Sequence, residues 1–79
     1  MLKLNNRYLI EGYSDELQQS IREVTPIEIS KSSYKLKDIL NDTFFWEHKS
    51  NFKKNKNEVY PGDFLVLEDL GKFSIDKQI

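Results

Sequence analysis

Apolar residues recur at two different spacings along this chain, and each spacing predicts a different element. Leu17, Ile21 and Val24 stand four and three apart behind Ser14, Asp15 and Glu16, the arrangement of an N-capped amphipathic helix of about three turns. Thr25-Pro26 ends it, because the residue before a proline is pushed out of the α region. A second helix is expected from Ser33 through Leu40, with Leu36, Ile39 and Leu40 turned inward and Lys35, Lys37 and Asp38 turned to solvent, stopped by Asn41-Asp42.

Period-two alternation predicts the strands. It shows in Ile27-Glu28-Ile29-Ser30 and, less regularly, between Arg7 and Glu11 ahead of Gly12. Thr43 to Lys49 carries Phe44, Phe45 and Trp46, which favour strand, and the Lys/Asn stretch after it reads as a loop or hairpin tip. In Tyr60-Pro61-Gly62-Asp63, proline sets φ for the second turn position and glycine supplies the positive φ that a type II turn demands at the third. Phe64 to Glu68 then extends as a strand, Asp69-Leu70-Gly71 forms a tight reversal, and Lys72 to Asp76 returns antiparallel. The expected fold is α+β: two short helices packed on one face of a mainly antiparallel four- or five-stranded sheet, forming a single domain over residues 1–79.

The order Thr25-Pro26-Ile27-Glu28-Ile29, Leu36-Lys37-Asp38-Ile39-Leu40, Val59-Tyr60-Pro61-Gly62-Asp63-Phe64-Leu65-Val66 and Gly71-Lys72-Phe73 resembles a group of small bacteriophage proteins that carry a Pro-Gly-Asp-Tyr motif. The likeness covers residues 25 to 75, and Phe64 stands where that group carries Tyr or Trp. The resemblance implies a phage origin and an α+β fold. It implies no reaction and transfers no catalytic residue.

Composition narrows the function. A chain of 79 residues buries only about 60% of its unfolded surface, enough for one core. Without cysteine there is no disulfide frame and no thiolate metal cluster. No apolar run approaches the roughly 18 residues that would cross a bilayer and no leading stretch has the order of a signal peptide, so a cytoplasmic protein is expected, in the host bacterium if the origin is a phage. The net charge of −1, from 12 basic and 13 acidic side chains, argues against polyanion binding by charge alone. The charges nonetheless segregate. Lys49, Lys53, Lys54 and Lys56 cluster without an acid among residues 49–57, whereas Glu58, Asp63, Glu68, Asp69 and Asp76 dominate residues 58–79.

The lone His48 has no orienting partner in the sequence, and no carboxylates stand at metal-ligand spacing. The expectation is therefore a non-enzymatic protein with no cofactor and no metal. Runs such as Phe44-Phe45-Trp46 and Phe64-Leu65-Val66-Leu67 send large apolar groups to both faces of a sheet that the helices cover on one side only. The uncovered face folds under residues 1–10, pairs two copies as a homodimer, or receives another protein, and the sequence leaves these open. The reading adopted is an inhibitor or modulator of a host protein, binding through Phe45, Trp46, Tyr60, Leu65 and Leu67 and steered by the acidic rim at Glu68 and Asp69. Two alternatives use cations instead: a nucleic-acid module stacking bases on the aromatics of residues 44–60 beside Lys49, Lys53, Lys54 and Lys56, or a nucleotide-sequestering protein with Lys53, Lys54 or Arg22 on phosphate.

Overall fold

The computed structural model describes residues 1–13 and 19–72. Six strands form one mixed sheet: β1 (Asn6–Tyr13), β2 (Gln19–Ile29), β3 (Ser33–Asp38), β4 (Thr43–His48), β5 (Phe52–Lys53) and β6 (Phe64–Lys72). Their order across the sheet is β4-β3-β2-β1-β6-β5. Every neighbouring pair is antiparallel except β5 with β6, which is parallel and needs the crossover at residues 54–63.

This overturns the α+β expectation, and with it the fold that the phage resemblance implied. No α-helix occurs among the described residues; the only helical pieces are 3-10 turns at Lys49–Asn51 and Lys56–Glu58. The stretch read as the end of the first helix belongs to β2, whose Ile21, Val24, Thr25, Ile27 and Ile29 are β-branched and fit a pleated surface better than a helix. Ser14 to Leu17, the start of that expected helix, lie outside the described residues. The second expected helix is β3 and the turn after it. Tyr34, Leu36 and Asp38 are buried in strict alternation with Ser33, Lys35 and Lys37, a period-two pattern that the helical reading of Leu36, Ile39 and Leu40 obscures. Leu40, turned inward by that reading, is 88% exposed.

Pro26 does not end an element either. It sits inside β2 at a bulge, where the register steps from Pro26↔Leu36 to Glu28↔Lys35 and leaves Ile27 as the extra residue. A proline in an inner strand is tolerated at such a place because the ladder is already interrupted there. Asp69-Leu70-Gly71 is likewise a bulge within β6 instead of a reversal: Arg7 pairs with Gly71 and Tyr8 with Asp69, leaving Leu70 over, and Gly71 carries φ +86°. The expected return strand beyond Lys72 lies outside the described residues. Strands near Arg7–Glu11, Ile27–Ile29, Thr43–His48 and Phe64–Glu68 are present, and Gly62 has the positive φ of the expected turn, closed by Asp63 N–H donating to Tyr60 C=O at 2.9 Å.

The core needs no helical roof because the sheet roofs itself. The rings of Tyr34 on β3 and Phe52 on β5 lie 5.5 Å apart, and those of Phe45 on β4 and Phe64 on β6 lie 6.4 Å apart. Each pair is four strands apart in the sheet order, which in a flat sheet would mean about 19 Å. The sheet is therefore curled until its ends face each other across a shared interior. That interior holds Tyr8, Ile10, Val24, Tyr34, Leu36 and Phe52, with Phe45, Phe64 and Val66 packed against it.

The N-terminal segment closes one mouth of the curl. Leu2 is buried in the core, its backbone N–H donates to the Tyr34 hydroxyl at 3.2 Å, and Lys3 N–H donates to the Tyr8 hydroxyl at 2.7 Å. Two buried tyrosines thus find partners for their polar tips. Asn5, at φ +66°, turns the chain and donates its N–H to Pro26 C=O at 2.9 Å, pinning the plug to β2.

Candidate functional site

Alternation on β4 separates the aromatic run into two populations. Phe45 faces inward opposite Leu36, against Phe64, with the Arg22 guanidinium 5.8 Å from its ring centre. Phe44 and Trp46 face outward opposite Lys37 and Lys35, and are 54% and 49% exposed. Two large aromatics thus stand two residues apart on one face of the edge strand. The Lys35 ammonium lies 5.7 Å from the centre of the Phe44 ring, within reach of a cation–π attraction. Lys37 is 3.3 Å from Asp42, which partly neutralises it. At the end of β4, the Oγ of half-buried Ser33 is 3.5 Å from Nδ1 of exposed His48, a long, weak contact.

Phe44, Lys35 and Lys37 do not stand out in the sequence. The helical pattern claims Lys35 and Lys37, and the choice between Phe44 and Phe45 depends on which parity faces outward. The ladder settles it: Leu36, wholly buried, pairs with Phe45, and directly opposed residues share a face.

The remaining docking residues do not converge on one surface. Leu65 is buried, whereas Leu67 is exposed as the extra residue of a second bulge in β6, between Leu9↔Glu68 and Ile10↔Val66. Glu68 is exposed and lies beyond the two residues of β6 that β5 covers, Phe64 and Leu65, so among the described residues the acidic stretch has β1 on one side and no strand on the other. Asp69 has a local task, its Oδ1 accepting from Gly71 N–H at 2.9 Å and from Asn6 Nδ2 at 3.3 Å. Tyr60 is 69% exposed at the turn before β6.

The lysine cluster also divides. Lys53 Nζ is 2.8 Å from Asp63 Oδ2, and the same oxygen accepts from Tyr60 N–H at 3.0 Å. Asp63 therefore ties both ends of the crossover to the start of β6. Burial pushes its carboxyl pKa up, but the Lys53 hydrogen bond, the Tyr60 N–H and the Lys53 charge outweigh burial and hold it below the ordinary aspartate range. Lys49 lies 5.5 Å from the Tyr34 ring centre, and Lys54 and Lys56 are exposed on the crossover. Phe52, counted with the aromatics near them, is a core residue.

No group of three or more His, Asp or Glu side chains that could hold a metal ion occurs among the described residues. No helix there is long and apolar enough to cross a membrane. Compared with protein-family models, curated proteins and solved structures, the chain matches none.

Proposed function

We propose that this is a non-enzymatic binding protein that docks on a partner protein through the outward face of β3 and β4, with Phe44 and Trp46 as anchors. The observation that carries the reading is the pair of half-exposed aromatics side by side on an edge strand. Large rigid rings of this kind lose little conformational entropy on binding and dominate the energetics of protein interfaces. Lys35 and Lys37 flank them and suit a partner with acidic groups around an apolar centre. The partner proposed is a bacterial host protein, met in the host cytoplasm and inhibited or modulated by the contact; this part rests on the short sequence resemblance of residues 25 to 75 to small bacteriophage proteins alone, since the all-β sheet is not the fold that resemblance implies.

The test is affinity capture from a bacterial lysate with the native chain and with the Phe44→Ala/Trp46→Ala double variant. Both side chains face solvent, so the variant keeps its fold. A protein held by the native chain is expected to bind the double variant at least about 30-fold more weakly, the loss of a hot spot of roughly 2 kcal/mol. Capture that is indifferent to both substitutions refutes the reading. Capture abolished by nuclease treatment assigns the face to nucleic acid instead.

A further inference from the structure

The two edges of this sheet are unlike. On one side β5 covers only Phe64 and Leu65, and the rest of β6 is an edge interrupted by bulges at Leu67 and Leu70 and carrying Glu68, Asp69 and Lys72, whereas on the other β4 runs six residues opposite β3 without a register shift. Edge strands are commonly blunted by a proline, a bulge, a lysine or an inward charge; Thr43-Phe44-Phe45-Trp46-Glu47-His48 has no proline, bulge or lysine, and its one inward charge, Glu47, is engaged within the chain by Asn51 Nδ2 at 2.6 Å. Among the described residues, β4 pairs with β3 alone.

The phase of the ladder shows which backbone groups the edge presents. Lys49 N–H donates to Ser32 C=O at 2.8 Å. Hydrogen-bonded and non-hydrogen-bonded pairs alternate in an antiparallel ladder. The N–H and C=O groups of Thr43, Phe45 and Glu47 therefore aim at β3, and those of Phe44, Trp46 and His48 aim away from it. The residues whose side chains form the aromatic face are thus the ones whose backbones are offered at the edge.

We infer that a second copy of this chain occupies the edge, β4 against β4, antiparallel about a two-fold axis through Phe45. In that register Phe44 of each copy lies opposite Trp46 of the other, each such pair exchanging both of its N–H···O bonds. Both pairs lie on the outward face and bring four aromatic rings together in cross-strand contact. Thr43 faces Glu47, so no like charges oppose one another, and His48 comes beside Asp42, an attractive polar pair at each end. Moving the axis by one residue to Trp46 keeps the faces matched but sets Phe45 against Glu47, an apolar ring against a carboxylate. Moving it to Phe44 sets Trp46 against Asp42, which lies outside β4 at φ +56°. Of the three, the register about Phe45 pairs β4 over its whole length without a mismatch, and it joins two six-stranded sheets into one.

The dimer goes beyond the docking reading and does not depend on it. If both hold, the docking face of the assembled protein is the four-ring platform made jointly by two copies.

Sedimentation equilibrium or light scattering between about 1 and 100 µM tests it. The expected result is a species of twice the 9.4 kDa chain mass, lost on Phe44→Lys/Trp46→Lys, whose solvent-facing lysines repel across the axis while circular dichroism stays native. The register is tested by mixing the single variants Phe44→Lys and Trp46→Glu. Only about the Phe45 axis do the new lysine and glutamate stand directly opposite, so native mass spectrometry is expected to show the mixed dimer in excess over either homodimer. A single chain mass across the whole range overturns the inference, including the case in which a strand of a different protein takes the edge. A dimer that survives the lysine pair overturns it equally. Partner capture by a strictly monomeric native chain would remove the dimer and leave the docking reading intact, whereas a dimer that captures nothing would do the reverse.

Discussion

Removing the Asp63 carboxylate is expected to unpin the crossover. One oxygen of that carboxylate takes both the Lys53 ammonium at 2.8 Å and the Tyr60 N–H at 3.0 Å, and the residue is only 8% exposed. Asp63→Ala breaks a charged hydrogen bond to a backbone amide, worth about 1.5–3 kcal/mol. The partly exposed Lys53 pair adds at most about 1 kcal/mol. The total is roughly 2–4 kcal/mol, and at about 4–8 °C per kcal/mol for a domain of this size the midpoint of thermal unfolding falls by roughly 8–32 °C. Asp63→Asn keeps an acceptor for Tyr60 and loses the charge, so about half of that drop is expected. A pH series adds a second signature. Because the folded-state pKa of Asp63 is depressed, its contribution is present above the unfolded aspartate pKa, near pH 4, and disappears as pH falls through the lower folded value. The native chain is therefore expected to lose its advantage over Asp63→Asn progressively as the pH falls below about 4. Circular dichroism melts across that range measure both effects. Melting of Asp63→Ala within about 2 °C of the native chain at pH 7, or parallel acid profiles for the native and Asn chains, would refute the reasoning.

The strand and helix readings of residues 33–40 are separated by two truncations followed by urea denaturation: Leu36→Ala is expected to cost about 2–5 kcal/mol, because the side chain is wholly buried. Leu40→Ala, which the helical reading would make comparable, is expected to stay within about 0.5 kcal/mol. Gly12→Ala is expected to destabilise by about 1–2 kcal/mol through crowding, since a Cβ there would meet Phe64 Cε1 at 3.1 Å and Cδ1 at 3.3 Å. Gly71→Ala meets no atom within 4 Å and is expected to lose about 1–2 kcal/mol from its left-handed φ alone, a difference that Gly71→Asn should partly recover in the same melts. Tyr34→Phe, which leaves Leu2 N–H without its acceptor, is expected to cost about 1–3 kcal/mol and to speed hydrogen exchange at that amide.

Residues whose conformation answers to local chemistry are legible in the sequence. Pro61 and Gly62 specify their turn through φ preferences that no distant contact has to supply, and the β-branched and aromatic content of Thr43–His48 and Phe64–Glu68 marks strands. Val24 and Leu36 are less legible, because each belongs to an apolar series that fits a period of 3.6 about as well as a period of 2. Strand pairing across β2 and β3 decides between them, and that contact is non-local. Pro26 misleads for a related reason: its restriction on the preceding residue excludes a helix there but says nothing of a bulge, whose position depends on the partner strand.

By itself, then, the sequence determined the turn at Pro61-Gly62 and the strand-forming character of Ile27–Ile29, Thr43–His48 and Phe64–Glu68. Only the tertiary structure decided which aromatics are core and which are surface. A period-two strand offers both faces equally, and the choice between Phe45 and the Phe44–Trp46 pair waits until the sheet curls and Phe45 meets Phe64 from the far side. The same curl removed the need for a helical roof, and it scattered the expected docking residues because neighbours in sequence leave a strand in opposite directions while neighbours in space come from its far ends.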